Sequence, residues 1–119
     1  MMNKLLLLLL FPLSLCQCTK KEPPAVLYKG VVLYSVCGNV VIQTSGPDRI
    51  GENNWTDKND PNLPTYDHVF TVANACEFGV YSQGDTIDFV LTKPRAQQCA
   101  QCEIYVDKPV TAYPIRVIR

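Results

Sequence analysis

The sequence is short of the groups from which most enzymes and nucleic-acid binders are built. It has one histidine, His68, and only 18% charged residues, with 11 cations balancing 11 acids. One imidazole, with no serine or cysteine in an elbow or triad pattern, leaves little for general acid–base or nucleophilic chemistry. The expectation is a protein that is not an enzyme. No basic stripe is present, which excludes a nucleic-acid surface, and no acidic run marks a disordered tail. No apolar run approaches the roughly 18 residues of a comfortable spanning helix. No stretch sustains a helical apolar period. What is there is a chain of 47% apolar residues, which argues for a globular fold.

The first 22 residues decide where the rest folds. Lys4 is followed by an apolar run at residues 5–15, which includes six consecutive leucines. That length fits the roughly 7–15 residues of a signal-peptide middle. A run of leucines has no polar face, so a buried amphipathic helix is the poorer reading. Cys16-Gln17-Cys18-Thr19-Lys20-Lys21-Glu22 comes next.

These residues resemble the leader of bacterial lipoproteins, where a leucine stands three places before a cysteine. Leu13-Ser14-Leu15 precedes Cys16, and Leu15-Cys16-Gln17 precedes Cys18. The residue just before either cysteine is larger than the Gly, Ala or Ser of the pattern. The start Cys18-Thr19-Lys20-Lys21-Glu22 looks like lipoprotein starts in Bacteroidota, so Cys18 is favoured for lipidation, with Cys16 the alternative. The resemblance implies a diacylglycerol on the sulfur and a further acyl chain on the new amino terminus. Two or more chains anchor stably where one is marginal. The implied partner is therefore a bacterial membrane, the outer one favoured, with the domain in the periplasm or at the cell exterior. Residues 1–17 are read as the leader, 18–25 as lipidated cysteine and short linker, and 26–119 as one β-domain.

Without residues 1–17 the chain loses Lys4, and its formal charge becomes −1. Four cysteines follow the leader: Cys37, Cys76, Cys99 and Cys102. Exported cysteines in even number usually pair. The favoured pairing is Cys99–Cys102 with Cys37–Cys76. The alternative joins Cys37 and Cys76 each to one of the other two. Either supports a small domain, where a bridge closing a long loop is worth about 2–4 kcal/mol.

Along the domain the pattern is of strands. Residues 26–36 carry apolar groups on both faces, with Tyr28, Val32, Tyr34 and Val36 on one of them and Gly30 as a bend. Gly38-Asn39 marks a hairpin and residues 40–44 the returning strand. Residues 45–65 form a long loop holding the only tryptophan, Trp55. Loops of that length are usually functional or disordered, so Trp55 is the binding candidate, and a plug over the sheet is its structural alternative. Residues 66–74 read as a strand with Tyr66, His68, Phe70 and Val72 on one side, and His68 as a hydrogen-bonded structural residue. Residues 78–81 read as a short edge strand. Residues 85–92 alternate with Ile87, Phe89 and Leu91 inward. Residues 103–107 resume the alternation, and residues 115–119 form a last strand behind Pro109 and Pro114, which favour an edge. The fold class is all-β: a small antiparallel barrel or sandwich of five to six strands, supported by disulfides. Strand spacing and the Gly84-Asp85 entry to the fourth strand are similar to oligonucleotide/oligosaccharide-binding barrels, a likeness of fold without weight for function.

Other motifs carry less. Cys99-Ala100-Gln101-Cys102 has the spacing of a redox motif, but the βαβ setting that lowers the thiol pKa is missing. Zinc could draw on Cys37, Cys76, Cys99 and Cys102, or on His68. Only one short-spaced pair exists, so no metal and no cofactor are expected. Asp57-x-Asn59 begins like a calcium loop, yet Asn62 and His68 stand where Gly and Glu are needed. Asn54-Trp55-Thr56 and Asp85-Thr86-Ile87 match short glycosylation patterns of low specificity. The expected function is a membrane-anchored, non-enzymatic binding or structural module of the cell envelope, with an envelope protein or glycan as partner. The alternatives are an envelope thiol, disulfide or metal protein using Cys99 and Cys102, and an inhibitor of a secreted enzyme.

Overall fold

The computed structural model describes residues 24–36, 38–60, 62, 64–94 and 106–118. The leader, Cys16, Cys18, Cys37, Cys99, Cys102 and the start of the strand expected at 103–107 lie outside them. Six strands are described: β1 (Tyr28–Val36), β2 (Asn39–Ser45), β3 (Val69–Val72), β4 (Thr86–Leu91), β5 (Ala112–Tyr113) and β6 (Ile115–Val117). Among the described residues the one helical element is a single 3-10 turn, Ala75–Glu77.

The strands form one sheet in the order β5-β3-β2-β1-β4-β6, antiparallel except for β3 with β5. The two edge strands are consecutive in the chain and separated by Pro114 alone. One C-terminal segment therefore borders both edges, and the sheet curls into a half-barrel. Proline suits the switch point because it has no N–H to give to either ladder.

The concave side holds the main core. Val32, Val40, Ile42, Phe70, Ile87, Phe89 and Ile115 pack there, and Phe78 closes it. Phe70 and Phe89 are fully buried with centroids 5.6 Å apart. Burial of such a side chain contributes about 1.5–3 kcal/mol. Gly30 is required on this side, since a Cβ there would lie 2.6 Å from Ile42 Cγ2.

The convex side of β2 and β3 carries a second cluster of Val41, Val69 and Trp55, flanked by Leu33, Tyr34 and Tyr66. The apolar groups on both faces of β1 thus reflect two cores. The face assignment changes partway along β1. Val32 pairs with Ile42 but Tyr34 pairs with Val41, so a bulge at Leu33 turns Tyr34 away from Val32 and onto the convex side.

Three further expectations change. The tight turn includes Gly38, at φ +78°, and Asn39 is already in β2 opposite Val36. The strand expected from residue 66 begins at Val69, because His68 has φ +58° and breaks the alternation, which leaves Tyr66 with the convex cluster. Residues 78–81 form no strand; Phe78 is buried and its ring sits 4.5 Å from that of Tyr81. Leu91 keeps the inward side, in register with buried Ile115, but is 41% exposed at the end of β4.

Candidate functional site

The long loop after β2 is a strap laid over the convex face. Thr44 closes its start: the Thr44 hydroxyl donates to Ile50 O at 2.7 Å and accepts from Ile50 N at 3.1 Å. The strap then pairs with the chain leading into β3. Glu52 and Val69 exchange backbone hydrogen bonds of 2.8 and 3.0 Å, and Trp55 and Tyr66 exchange bonds of 2.9 and 2.8 Å. Asn54, at φ +59°, turns the chain between these two rungs, and its N–H donates to Asp67 Oδ1 at 2.9 Å. Asparagine tolerates this left-handed conformation better than most residues.

Trp55 is 8% exposed and sits between Tyr34 and Tyr66, each ring centroid 6.3 Å away. Its position is that of the strap's packing anchor. The accessible chemistry lies next to it, in an open groove of about 320 Å³ between the strap and β1. Leu33, Val36 and Val106 supply apolar wall, and Asp57, Asn59, Asp60 and Gln83 supply polar rim.

The rim is shaped by short-range backbone capture. Asp57 Oδ1 accepts from Asn59 N at 2.9 Å, and Asp60 Oδ1 accepts from Asn62 N at 3.1 Å. These are the turns that aspartate side chains make two residues on. In each carboxylate the second oxygen has no partner among the described residues. The residues read against a calcium loop therefore form acidic turns beside an apolar wall.

Tyr34 and Asp107 tie the groove together. The Tyr34 hydroxyl donates to the backbone carbonyl of Asp107. The Asp107 carboxylate, itself buried, accepts from Lys58 N at 2.8 Å. Burial raises the Tyr34 pKa well above its ordinary 10.0, and the charges of Asp57 and Asp107 push it further. Tyr34 is held as a neutral donor, and β1, the strap and the C-terminal segment are joined at one point.

Further clefts flank the half-barrel. One of about 300 Å³ lies between the β1–β2 turn at Gly38 and residues 108–112, where Lys108 Nζ donates to Asn39 Oδ1 at 3.3 Å. One of about 290 Å³ lies between the 3-10 turn and β6. His68 is half-buried, its N–H donating to Asn53 Oδ1 at 3.2 Å. Cys76 belongs to the 3-10 turn; the other cysteine candidates lie outside the described residues. No group of three or more metal-ligating side chains occurs among the described residues.

Tyr34, Asp60 and Asp107 were not singled out by sequence. Only the alternation of β1 bore on Tyr34, and the bulge at Leu33 reverses it. Compared with protein-family models, curated proteins and solved structures, the chain matches none.

Proposed function

We propose that the protein is an exported lipoprotein, held on a bacterial envelope membrane by acyl chains on Cys18 or Cys16, whose domain is a non-enzymatic binding module. The binding site in this reading is the groove beside the strap. The observation that carries it is the arrangement of Asp57, Asp60, Asn59 and Gln83 around an apolar wall. Carboxylates and amides suit a ligand rich in hydroxyl or amine donors, and the wall suits its aliphatic part. An envelope glycan or protein segment has that chemistry.

We read the connectivity as similar to that of an oligonucleotide/oligosaccharide-binding barrel, a likeness of fold that carries no weight for function. Here Trp55 occupies the face of β2 and β3. The groove borders that face at Val36 and Val106, beside the β1–β2 turn. The formal charge, 0 for the whole chain and −1 without residues 1–17, disfavours an oligonucleotide as ligand.

The same proposal includes disulfide support by Cys37–Cys76. Cys76 lies in the 3-10 turn that follows β3. The register Val41↔Thr71 brings residue 39 opposite residue 73, near both cysteines in sequence. Non-reducing peptide mapping of protein from the envelope tests the pairing. Ready reduction of one pair at a mild potential would favour the rival thiol–disulfide role for Cys99 and Cys102.

The binding reading is tested by a photo-crosslinking residue at Gln83 in intact cells. The expected result is a discrete adduct that disappears in the Asp57→Asn/Asp60→Asn variant. An adduct unaffected by that variant would refute the groove as the site.

A further inference from the structure

The end of β1, β4 and β6 where the chain enters the domain displays exposed apolar side chains. Val26 and Leu27 are 46% and 51% exposed, Leu91 41% and Ile118 46%. The register continues Leu27 into the row of Val90 and Arg116 and Ile118 into the row of Asp88 and Lys29, so Leu27 and Ile118 share the outer side two rows apart. Val26 and Leu91 stand at the same end with the inner-side parity of Tyr28 and Phe89. Ile118 is fixed there by its N–H, which donates to Asp88 O at 2.7 Å. Around them stand Lys29, Lys93 and Arg116, all exposed. Asp88 is the acid on that face, in register with Lys29.

We infer that this face lies against the headgroup and acyl boundary of the membrane that carries the lipid anchor, which rests on the lipoprotein reading above. Exposed aliphatic groups ringed by cations fit an anionic lipid surface, since the stems of lysine and arginine cover apolar surface while their charges reach headgroups. The linker fits as well. Eight residue steps separate Cys18 from Val26, a reach of at most about 30 Å. Lys20 and Lys21 add two cations on the way. An anchor on so short a tether holds this end of the domain near the bilayer. The Tyr34–Asp107 junction and the groove lie toward the other end of the β1–β2 hairpin, presented away from the lipid.

The test uses the full lipidated chain in vesicles of phosphatidylcholine and phosphatidylglycerol, modified with an amine-reactive reagent and read by mass spectrometry. Lys29 and Lys93 are expected to react several-fold more slowly in vesicles than in detergent. Lys58 and Lys108, beyond the other end of the hairpin, are expected to react alike in both. In the Leu27→Asn/Ile118→Asn variant that protection should vanish while the protein still floats with the vesicles and keeps its near-ultraviolet circular dichroism. Equal reactivity at all four lysines in vesicles would overturn the inference. Protection that persists in detergent and grows with protein concentration would overturn it in favour of a second copy on this face. A chain that fails to float at all would refute the anchor itself, an outcome read directly from the gradient.

Discussion

Asn74 and Ile115 exchange two hydrogen bonds: the Asn74 side-chain amide donates to Ile115 O at 2.7 Å, and Ile115 N donates to Asn74 Oδ1 at 2.8 Å. A side chain here continues the work of a strand. β3 pairs in parallel with β5, and Ala73 N still donates to Tyr113 O at 2.9 Å. Asn74 then takes the first residue of β6, just past Pro114. It is 4% exposed, so water does not replace it. Replacement by Leu strands a donor and an acceptor of Ile115 in the interior, at roughly 1–3 kcal/mol for each unsatisfied group. Asn74→Leu is expected to lower the urea midpoint by an amount equivalent to about 2–4 kcal/mol. Asn74→Asp keeps the acceptor but sets a carboxylate oxygen against Ile115 O in a buried site, so it should not restore the loss.

Three glycines differ in what surrounds them, and this ranks their alanine variants. Gly84 has φ +90° with open space around its missing Cβ. Its cost is conformational, about 1–2 kcal/mol. At Gly30 the new methyl meets the Ile42 side chain at 2.6 Å and the Phe89 ring at 3.1 Å, both in the core. Overpacking of this kind costs about 1–3 kcal/mol. At Gly51 the methyl meets the backbone N and O of Val69 at 2.6 Å, with φ +116°. Backbone in a ladder cannot step aside as a side chain can. The expected order of thermal stability is Gly84→Ala, then Gly30→Ala, then Gly51→Ala as the least stable, and the strap should detach in the last. Differential scanning calorimetry of the three variants checks the order.

How much of this was legible in the sequence follows from which signals are local. Alternation in residues 85–92 depends on neighbours two apart and residues 40–44 are an apolar run behind a turn, and both strands appear, as Thr86–Leu91 and Asn39–Ser45. The hairpin before β2 follows from Gly38. What defeated the pattern was a change of parity inside a strand. The bulge at Leu33 and the left-handed His68 each shift the count by one, so Tyr34 and Tyr66 changed faces. Neither residue type announces such a conformation. The Trp55 loop was identified, but its rungs to Tyr66 and Val69 are pairings across more than ten residues, which composition does not encode. The groove needed Asp57, Gln83 and Val106 brought together from three distant segments.

The Tyr34 hydroxyl gives a pH signature. Its folded pKa lies above the ordinary 10.0, first through burial and then through the charges of Asp57 and Asp107. Below that ordinary value both folded and unfolded chains hold the proton, and stability does not depend on it. As pH rises past it, the unfolded chain releases the proton while the folded chain retains it, so unfolding gains and stability falls. Tyr34→Phe removes the titrating group along with its hydrogen bond to Asp107. The variant is expected to be less stable at neutral pH and to lose stability less steeply above about pH 10. Urea midpoints measured across the alkaline range decide it. Parallel slopes for the two proteins would mean the phenol is not held neutral by the fold.

Trp55 separates the roles of anchor and ligand contact. Its ring is buried against Tyr34, Tyr66, Val41 and Val69, and both its backbone groups are bonded to Tyr66. Truncation to Ala empties that cluster and should cost about 3–5 kcal/mol, the usual range for a buried aromatic. Trp55→Phe refills most of the space and should recover much of that loss. The strap then keeps its course, and Asp57 and Asp60 keep their place at the groove. In the anchor role, crosslinking from Gln83 survives in Trp55→Phe and weakens in Trp55→Ala only in proportion to unfolding. A Trp55→Phe protein that is fully folded yet yields no adduct would transfer the ligand contact from the rim to the indole ring itself.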